Sequence, residues 1–571
     1  MTFVSTQETY PRKKAYRFLR IILQNAKHIS RTDFLLQPFP EEETKNEYFS
    51  PLVNTFSQEV VFLSKQNILR SAAALTVSGI ISKTVDFLFR AYYSTKLGSE
   101  GMGLFSLVFS FHGLILTVAT GGLGVAVSKT VSEQYAKNLR GDIRSTMNIA
   151  LGSVFVLSSA VILAVCIFSK QISAGFLKEP RTCFSIIYLS PSILFMSLSY
   201  CIKGYFYASR KILIPASSEF LEQVVKITFI TTLLDKFLPL GLERGCEAVF
   251  LGITVGELSS CLYLSLFFAK DSRSMGSFKR QNKVASKLLK IALPAMTTSL
   301  AGSFLRMQED VFIVAGLRKS GLSHPEALSQ YGILKGMVMP LIVFPLTLLS
   351  SFFTLLVPEI SRAGGMSGRT RLTTLISRIY RFTAFGGFLV CIIFVTFAEQ
   401  LSDWVYSAPQ IADSVRIIAL LSPIMFFDSM SSGILNGLGK QPILLLLSLS
   451  DSTLRLGLIW LLVPSMGTDA LFLMIIASNL FTALLSFTSV IRSTHMPFEL
   501  SGWLLRHLLT AAATYLTFFV LGTILFPGET VVATLTAMLF TTGVYLLYSS
   551  LLYKTLRKDL LWLFGRMFLN N

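Results

Sequence analysis

Charged side chains inside long apolar segments are the residues of this sequence with the clearest chemical potential. A charge at the bilayer centre costs about 2.5–3.5 kcal/mol on insertion scales, so such a residue usually faces a cavity or a partner. Residues placed near mid-depth are Lys83, Lys203, Glu222, Lys226, Glu257, Asp428, Asp451 and Arg455. Residues placed in the outer half are Asp86, Arg90, Arg306, Glu309, Asp310 and Lys335. The cations can hold an anion through charge-assisted hydrogen bonds, and the acids can hold a cation.

Some of these charges are spaced to neutralise each other. Three acid–base pairs lie four residues apart, on one helix face: Asp86 with Arg90, Glu222 with Lys226, and Asp451 with Arg455. Two interpretations stay open for them. They are either structural ion pairs or intramembrane groups that act in a gate or a transport step.

One apolar stretch, residues 331–361, carries no charge between Lys335 and Glu359 but contains Pro340 and Pro345. Each proline removes a helix hydrogen bond and bends the helix. The bend is either a hinge or a static kink. Glu359, near the predicted cytoplasmic end, either closes a gate with a basic loop residue or is a solvated helix terminus.

The elements that must position these residues are membrane helices. Of 571 residues, 52% are hydrophobic and 15% are charged, against about 25% charged in soluble domains. Mean hydropathy is +0.60. Segments of roughly 20 apolar residues, enough to cross about 30 Å of hydrocarbon, recur along the chain. We predict an all-α polytopic membrane protein of about fourteen transmembrane helices.

The composition also limits the function classes. The net charge of +19 is typical of basic residues collected in cytoplasmic loops, so we expect no nucleic acid partner. The six cysteines form no CxxC pair and no metal-ligand spacing, and no nucleotide-binding fingerprint is present. We therefore expect no metal, no cofactor and no catalytic residues.

The spans group into two lobes and a C-terminal pair. The predicted parts are a cytoplasmic N-terminal tail at 1–65, an N-lobe of spans 1–6 at 66–271, a C-lobe of spans 7–12 at 284–495, spans 13–14 at 500–556, and a C-terminal tail at 557–571. The tail at 1–65 is either an amphipathic surface helix or partly disordered. Lys and Arg concentrate in alternate loops, which places both termini in the cytoplasm.

An internal repeat supports the two lobes. The segment from Gly204 aligns without a gap on the segment from Gly433. Three charges then coincide: Lys211 with Lys440, Glu222 with Asp451, and Lys226 with Arg455. Because each copy has an even number of spans, six, both copies have the same orientation in the membrane. Parallel repeats of this kind, related by an axis along the membrane normal, are a transporter architecture.

These motifs resemble a known family. "VDFLFRAYYSTKLGSEGMGLFSLVFSF", "GLGVAVSKTVSE", "YGILKGMVMPLIVFPLTLLSSFFTLLVPEISRA" and "GILNGLGK" are similar to the stage V sporulation protein B-like polysaccharide and lipid-linked oligosaccharide flippases. That family belongs to the multidrug/oligosaccharidyl-lipid/polysaccharide exporter superfamily. The resemblance covers residues 67 to about 553.

The resemblance implies two six-helix lobes around a cavity that opens alternately to either side and is lined by spans 1, 2, 7 and 8. It implies transfer of an undecaprenyl-pyrophosphate-linked saccharide across the inner (cytoplasmic) membrane. The implied partners are the lipid-linked substrate and the bilayer, and the resemblance also allows glycosyltransferases or polymerases of the same pathway. Candidate substrate-binding residues on spans 1, 7 and 8 are Arg90, Arg306, Lys335, Lys83 and Asp86. Each cation taken alone is equally consistent with snorkelling to the interface.

Two alternatives remain at this stage. A multidrug exporter of the same superfamily would usually have twelve spans and acidic sites for cationic drugs. A membrane polysaccharide polymerase would usually need a large outside loop, whereas the longest here, about 313–330, offers only His324 beside Glu326. The saccharide and the energy source, membrane potential or an ion gradient, stay open.

Overall fold

A computed structural model describes residues 50–137, 139–273, 282–353, 356–365, 369–497, 499, 501–526 and 530–552, and for 50–78 only the helix backbone. The chain divides into two units, Met1–Ser71 and Ala72–Asn571. Of the first, the described part is helix from Ser50. Most of the predicted tail at 1–65, the predicted tail at 557–571 and part of the loop between the lobes lie outside the described residues. All that follows concerns the second unit.

The described residues form helices, with no strand among them. The longer helices are α1 Ser50–Thr120, α2 Leu123–Ala136, α3 Arg140–Ile167, α4 Cys183–Ala208, α5 Leu213–Phe237, α6 Leu242–Ser272, α7 Asn282–Lys319, α8 His324–Tyr331, α9 Met339–Phe353, α10 Val357–Gly365, α11 Arg369–Thr396, α12 Ala398–Tyr406, α13 Ala412–Ala419, α14 Ser422–Gly437, α15 Gln441–Met466, α16 Thr468–Thr494, α17 Arg506–Thr517 and α18 Val531–Leu552. The all-α membrane fold is confirmed.

The exact number of fourteen spans is not confirmed. Among the described residues, 11 helices are long and apolar enough to cross a membrane, or 12 if the bent pair Pro409–Ala419 and Ser422–Gly437 is one span. One of them, Gly79–Ala136, covers 58 residues where the sequence predicts parts of two spans, and its backbone turns at Gly98, whose φ is 68°. Helix α5 is not counted; it carries Glu219, Glu222 and Lys226.

The same helix pairings occur in both halves of the chain. In the first half α3 packs on α4, and both α4 and α5 pack on α6. In the second half α11 packs on α14, and both α14 and α15 pack on α16. These are the pairs that the predicted repeat makes equivalent. The exact lobe boundaries, 66–271 and 284–495, stay a prediction.

The last two helices pack on α11. The Tyr545 hydroxyl of α18 donates to the Phe385 carbonyl at 3.1 Å. Trp503, just before α17, donates to Ser377 at 3.0 Å and packs its ring against Tyr380, 5.4 Å between centroids. Burying these aromatic rings with their polar atoms satisfied fixes the C-terminal pair against the C-lobe.

A π-helical segment, Gly332–Val338, joins α8 to α9. Pro340 is the second residue of α9, and Pro345 lies inside it. The prolines were predicted to bend this span; the π segment that precedes Pro340 was not predicted. Proline cannot donate to the carbonyl four residues back, and short π segments often occur at functional sites. A hinge at this place stays a prediction.

Candidate functional site

The central seam lies between α1 of the first half and α9 of the second. The rings of Phe87 and Phe344 stack, 4.2 Å between centroids. Four residues before Phe87, Lys83 donates to the Ser351 hydroxyl at 3.2 Å and to the Thr347 carbonyl at 3.5 Å. Lys83 is exposed and has only neutral hydrogen-bond partners in the described part of the chain.

Arg90, two turns from Lys83 along α1, is a half-buried cation without a carboxylate ion pair among the described residues. Its guanidinium carbon lies 5.7 Å from the centroid of Phe105. Its Nε is buried and finds no hydrogen-bond partner. It is close enough to Tyr331 and Tyr406 of the second half for electrostatic interaction. Arg90 therefore keeps donors free where the two halves meet.

Arg306 on α7, like Arg90, has no carboxylate ion pair among the described residues. It is exposed, and its described hydrogen bond is to the neutral Ser303 hydroxyl at 3.2 Å. Ser303 in turn shares a hydrogen bond of 3.1 Å with Thr117 of α1. Arg306 thus also lies next to a contact between the halves, with no ion pair in the described part of the structure.

Lys335 is placed differently from the two arginines. Its ammonium lies 2.8 Å from Glu309 Oε1 and 3.2 Å from Asp310 Oδ1. These carboxylates are 3% and 11% exposed, so the lysine compensates the charge of two buried acids. The sequence predicts a similar depth for Glu309, Asp310 and Lys335. It does not predict that they pair, because Lys335 lies 26 residues after Glu309 in the chain.

Glu309 also connects Lys335 to α15. Arg455 lies 3.7 Å from Glu309 and 3.1 Å from Asp451, and donates to the Ser478 hydroxyl at 2.6 Å. We call Glu309, Asp310, Lys335, Asp451 and Arg455 the C-lobe network. The two residues predicted as a local pair, Asp451 and Arg455, do lie together, but Arg455 is shared with Glu309.

The first half arranges its charges across helices. Lys226 of α5 lies 2.8 Å from Asp86 of α1, and Gln223 donates to Asp86 at 3.3 Å. Lys203 of α4 pairs with Glu219 at 3.0 Å. The local pairing suggested by the spacing of Lys226 and Glu222 is therefore replaced by an ion pair to another helix. Glu222 is close enough to Glu257 of α6 for electrostatic interaction.

One end of the seam, predicted to face outside, is closed by close backbone approach. A Cβ at Gly332 would come within 1.9 Å of the Ser99 carbonyl oxygen, and one at Gly103 within 2.2 Å of the Leu328 carbonyl oxygen. Ser99 and Ser329 share a hydrogen bond of 2.6 Å. Only glycine permits such an approach.

An ionic contact reinforces that end; we call Glu100, Glu179, Arg181 and His324 the outer clasp. Glu179 contacts Arg181 Nε at 2.9 Å and His324 Nε2 at 2.5 Å, and Arg181 reaches Glu100 at 2.8 Å. Burial raises the pKa of the Glu179 carboxyl, but Arg181 and His324 outweigh it and hold that pKa below its usual value. The clasp ties residues of the first half to α8.

The structure also changes the interpretation of the predicted outside loop at 313–330. Helix α7 continues to Lys319, and α8 begins at His324. Glu326 forms a capping box with Ser323, at 2.9 Å to its backbone nitrogen. His324 and Glu326 therefore have helix-end and inter-helix contacts rather than a shared site.

The opposite end, predicted to face the cytoplasm, has its own contacts between the halves. Glu133 of α2 lies 2.5 Å from Lys287 of α7. Gly122 has a φ of 69°, and a Cβ there would come within 2.6 Å of the Ala292 carbonyl oxygen. Glu359 lies in the first turn of α10; its predicted gate role stays a prediction. Among the described residues, no group of three or more His, Cys, Asp or Glu side chains could hold a metal ion.

Fold and site together define a multi-pass α-helical membrane protein with two halves joined along a charged seam. The chain belongs to the polysaccharide biosynthesis protein family, whose model matches residues 68–363. It is 26% identical to "Stage V sporulation protein B" of Bacillus subtilis (strain 168) over 75% of this chain and 84% of that protein. It is 22% identical to "Lipid II flippase MurJ" of the same organism over 52% of this chain and 58% of that one.

Solved structures share the fold. "Lipid II flippase MurJ, inward closed conformation" matches with a TM-score of 0.63 and 16% identity, over 85% of this chain and 99% of that chain. An inward-facing multidrug resistance MATE family transporter of the MOP superfamily matches with a TM-score of 0.59 and 14% identity, over 74% and 98%. The expected fold is confirmed by these structures, as the expected family is by the family model. These relatives are flippases and transporters, which agrees with the expectation of a non-enzyme.

Proposed function

We propose that this chain is a flippase that carries an undecaprenyl-pyrophosphate-linked saccharide across the cytoplasmic membrane by alternating access. The observation that carries the proposal is the state of Arg90 and Arg306. Arg90 lies on α1, and Arg306 lies on α7, which contacts α1 through Ser303 and Thr117. Neither arginine has a carboxylate ion pair among the described residues. A diphosphate that leaves water needs donors of this kind, because its charges must be hydrogen-bonded inside the protein.

The three predicted cations do not contribute equally to this proposal. Arg90 and Arg306 bind the diphosphate, and Lys83 on the same seam donates to the phosphates or to sugar hydroxyls. Lys335 is held by Glu309 and Asp310 and acts on the wall of the cavity, not as a first ligand. Asp86 holds Lys226 and keeps that face of α1 in place.

Transport requires the seam to open at one end at a time. The outer clasp and the approach of Gly332 to Ser99 support closure at the outer end. The Glu133–Lys287 contact forms the inner gate. The π segment Gly332–Val338 with Pro340 and Pro345 supplies a place where the helix can change its bend between the two states.

Cells whose own lipid-linked saccharide flippase can be shut off provide the test. Wild-type protein should restore growth, and Arg90→Gln and Arg306→Gln should each restore it poorly at equal membrane abundance. Arg318→Gln is the matched control, since Arg318 is exposed in the last turn of the same helix as Arg306. Equal growth with all three variants would remove the arginines from the mechanism. Drug resistance without rescue of growth would point instead to the multidrug exporter that the second structural match suggests.

The orientation is part of the proposal, and it has a separate test. Lys319 and Arg362 are exposed and lie on opposite sides if both termini are cytoplasmic. Lys319→Cys should react with an impermeant thiol reagent added to whole cells, and Arg362→Cys should react only after lysis. The reverse pattern would invert the orientation.

A further inference from the structure

The π segment that joins α8 to α9 is short of backbone donors at its C-terminal end. Its amides bond five residues back, where those of an α-helix bond four, and one such bond runs from the Met339 amide to the Leu334 carbonyl. In an α-helix the Met339 amide would bond to the Lys335 carbonyl, and the next amide would bond to Gly336. The next residue is Pro340, which has no N–H. The carbonyls of Lys335 and Gly336 therefore lack the amide donors of a regular helix.

Tyr406 of α12 supplies a donor from outside this helix. Its buried hydroxyl donates to the Met337 carbonyl at 2.9 Å. A buried carbonyl without a donor costs free energy, so this bond stabilises the segment while its backbone bonding is irregular. In a regular α-helix the Met337 carbonyl would accept from the amide four residues further on and would not need the tyrosine. Tyr406 therefore favours the π form of the segment over an α form.

Contacts on both sides of the segment depend on the π form. Before it, His324 of α8 contacts Glu179 in the outer clasp. After it, the ring of Phe344 on α9 stacks on that of Phe87. Bonding five residues back rather than four takes up one extra residue, and one residue of α-helix corresponds to a rotation of about 100° and a rise of about 1.5 Å. The contacts of α8 and α9 therefore occur together only while the extra residue is held in the π segment.

We propose that the π segment is a register switch, which changes between the π form and a regular α form and thereby turns α8 by about 100° relative to α9. In the π form α8 holds the outer clasp, and Gly332 lies against Ser99. In the α form the turned α8 loses both contacts, and the outer end can open. Tyr406 is the positioning residue that biases the switch toward the π form. The rotation needs no cargo, whereas its place in a transport cycle rests on the proposed function.

Pulsed EPR distance measurements on the purified full chain in liposomes, without cargo, test the switch. Spin labels are attached to cysteines introduced at Pro325 of α8 and at Gln410, just before α13, both of which are exposed. The six native cysteines are replaced in this variant. Both labels lie in the second half of the chain. A movement of one half against the other therefore leaves their distance unchanged, whereas a rotation of α8 changes it.

The substitution Tyr406→Phe should populate a second label distance. Removing one neutral hydrogen bond changes an equilibrium constant by about fivefold, so the ratio of the second form to the first should rise by about that factor over wild type. Tyr380→Phe is the matched control. Tyr380 is also buried, and its hydroxyl shares a hydrogen bond of 2.9 Å with Ser431, between α11 and α14. Its loss should leave the wild-type distance distribution unchanged.

Deletion of Ile333 tests the change of register itself. The deletion removes the extra residue, so a regular α segment can join α8 and α9 in their present orientation. We expect this variant to show one distance, that of the first form, even when it is combined with Tyr406→Phe. If the deletion variant does not fold, the comparison of Tyr406→Phe with Tyr380→Phe decides alone.

Three results would overturn the proposal. The same distance distribution in wild type and Tyr406→Phe means that the bond to Met337 controls no rotation of α8. An equal second population in Tyr380→Phe means a general loosening of the fold. Two distances that persist in the Ile333 deletion mean that the movement is not a change of register. Since no cargo is present, such a failure leaves the flippase proposal untouched, and failure of the arginine variants leaves the switch untouched.

Discussion

Lys335 lies 2.8 Å from Glu309 and is thereby tied to a carboxylate on a different helix, α7, while Arg90 and Arg306 have no such partner among the described residues. Three cations that the sequence treats as equivalent thus divide into one structural charge and two available ones. The division decides which substitutions affect stability and which affect transport.

Neutralising Lys335 should destabilise the fold. Lys335→Gln leaves Asp310, which is 11% exposed at its side chain, without its cation, and breaking a buried pair costs about 3–5 kcal/mol. We expect the lower end of that range, because the Lys335 side chain keeps 26% exposure. Thermal unfolding in detergent should show a clear fall in Tm.

The double variant Lys335→Gln with Asp310→Asn should recover most of that loss, because Glu309 still has Arg455 at 3.7 Å. Lys83→Gln, which removes only hydrogen bonds to neutral groups, is the control and should change Tm little. If Lys335→Gln unfolds at the wild-type temperature and only transport fails, Lys335 belongs with the substrate ligands.

A disulfide at the outer end should stop the transport cycle. The Ser99 and Ser329 hydroxyl oxygens are 2.6 Å apart, so cysteines at both positions can be oxidised to a cross-link that holds α1 against α8. We expect flipping to fall to background after mild oxidation and to return with a reductant. Each single cysteine variant is the control. A cross-linked protein that still flips would show that this end does not open.

The outer clasp should weaken in acid. The pKa of Glu179 is held below its usual 4.5 by Arg181 and His324, so the stabilisation is complete above 4.5 and is lost as the pH falls through the lower, folded-state value. Spin labels on α4 and α8 should report a constant distance from neutral pH down to 4.5 and a longer or broader one below it. Glu179→Gln should show the broader distance distribution at every pH. If neither acid nor this substitution alters the distance, the outer clasp does not hold this end closed.

The sequence predicted the fold class and the family because long apolar spans, glycine positions and prolines are local features. It also identified the buried charges one by one. It could not predict their partners, since Lys226 reaches Asp86 across 140 residues and His324 reaches Glu179 across 145. Spacing by four residues suggested Glu222 for Lys226, but tertiary packing brought a carboxylate from α1 instead. The π segment before Pro340 has no sequence signature that periodicity detects.

We propose that Arg90 and Arg306 bind the diphosphate of a lipid-linked saccharide while it crosses the membrane. The most direct measurement is the rate at which a fluorescent undecaprenyl-pyrophosphate-linked saccharide changes leaflet in liposomes that contain the purified protein. A charge-assisted hydrogen bond contributes about 1.5–3 kcal/mol, and 1.4 kcal/mol is about tenfold. Wild type and Arg318→Gln should flip at equal rates, Arg90→Gln and Arg306→Gln should each be slower by about tenfold or more, and the double variant slower still. A folded double variant that flips at the wild-type rate would show that the two arginines do not bind the diphosphate.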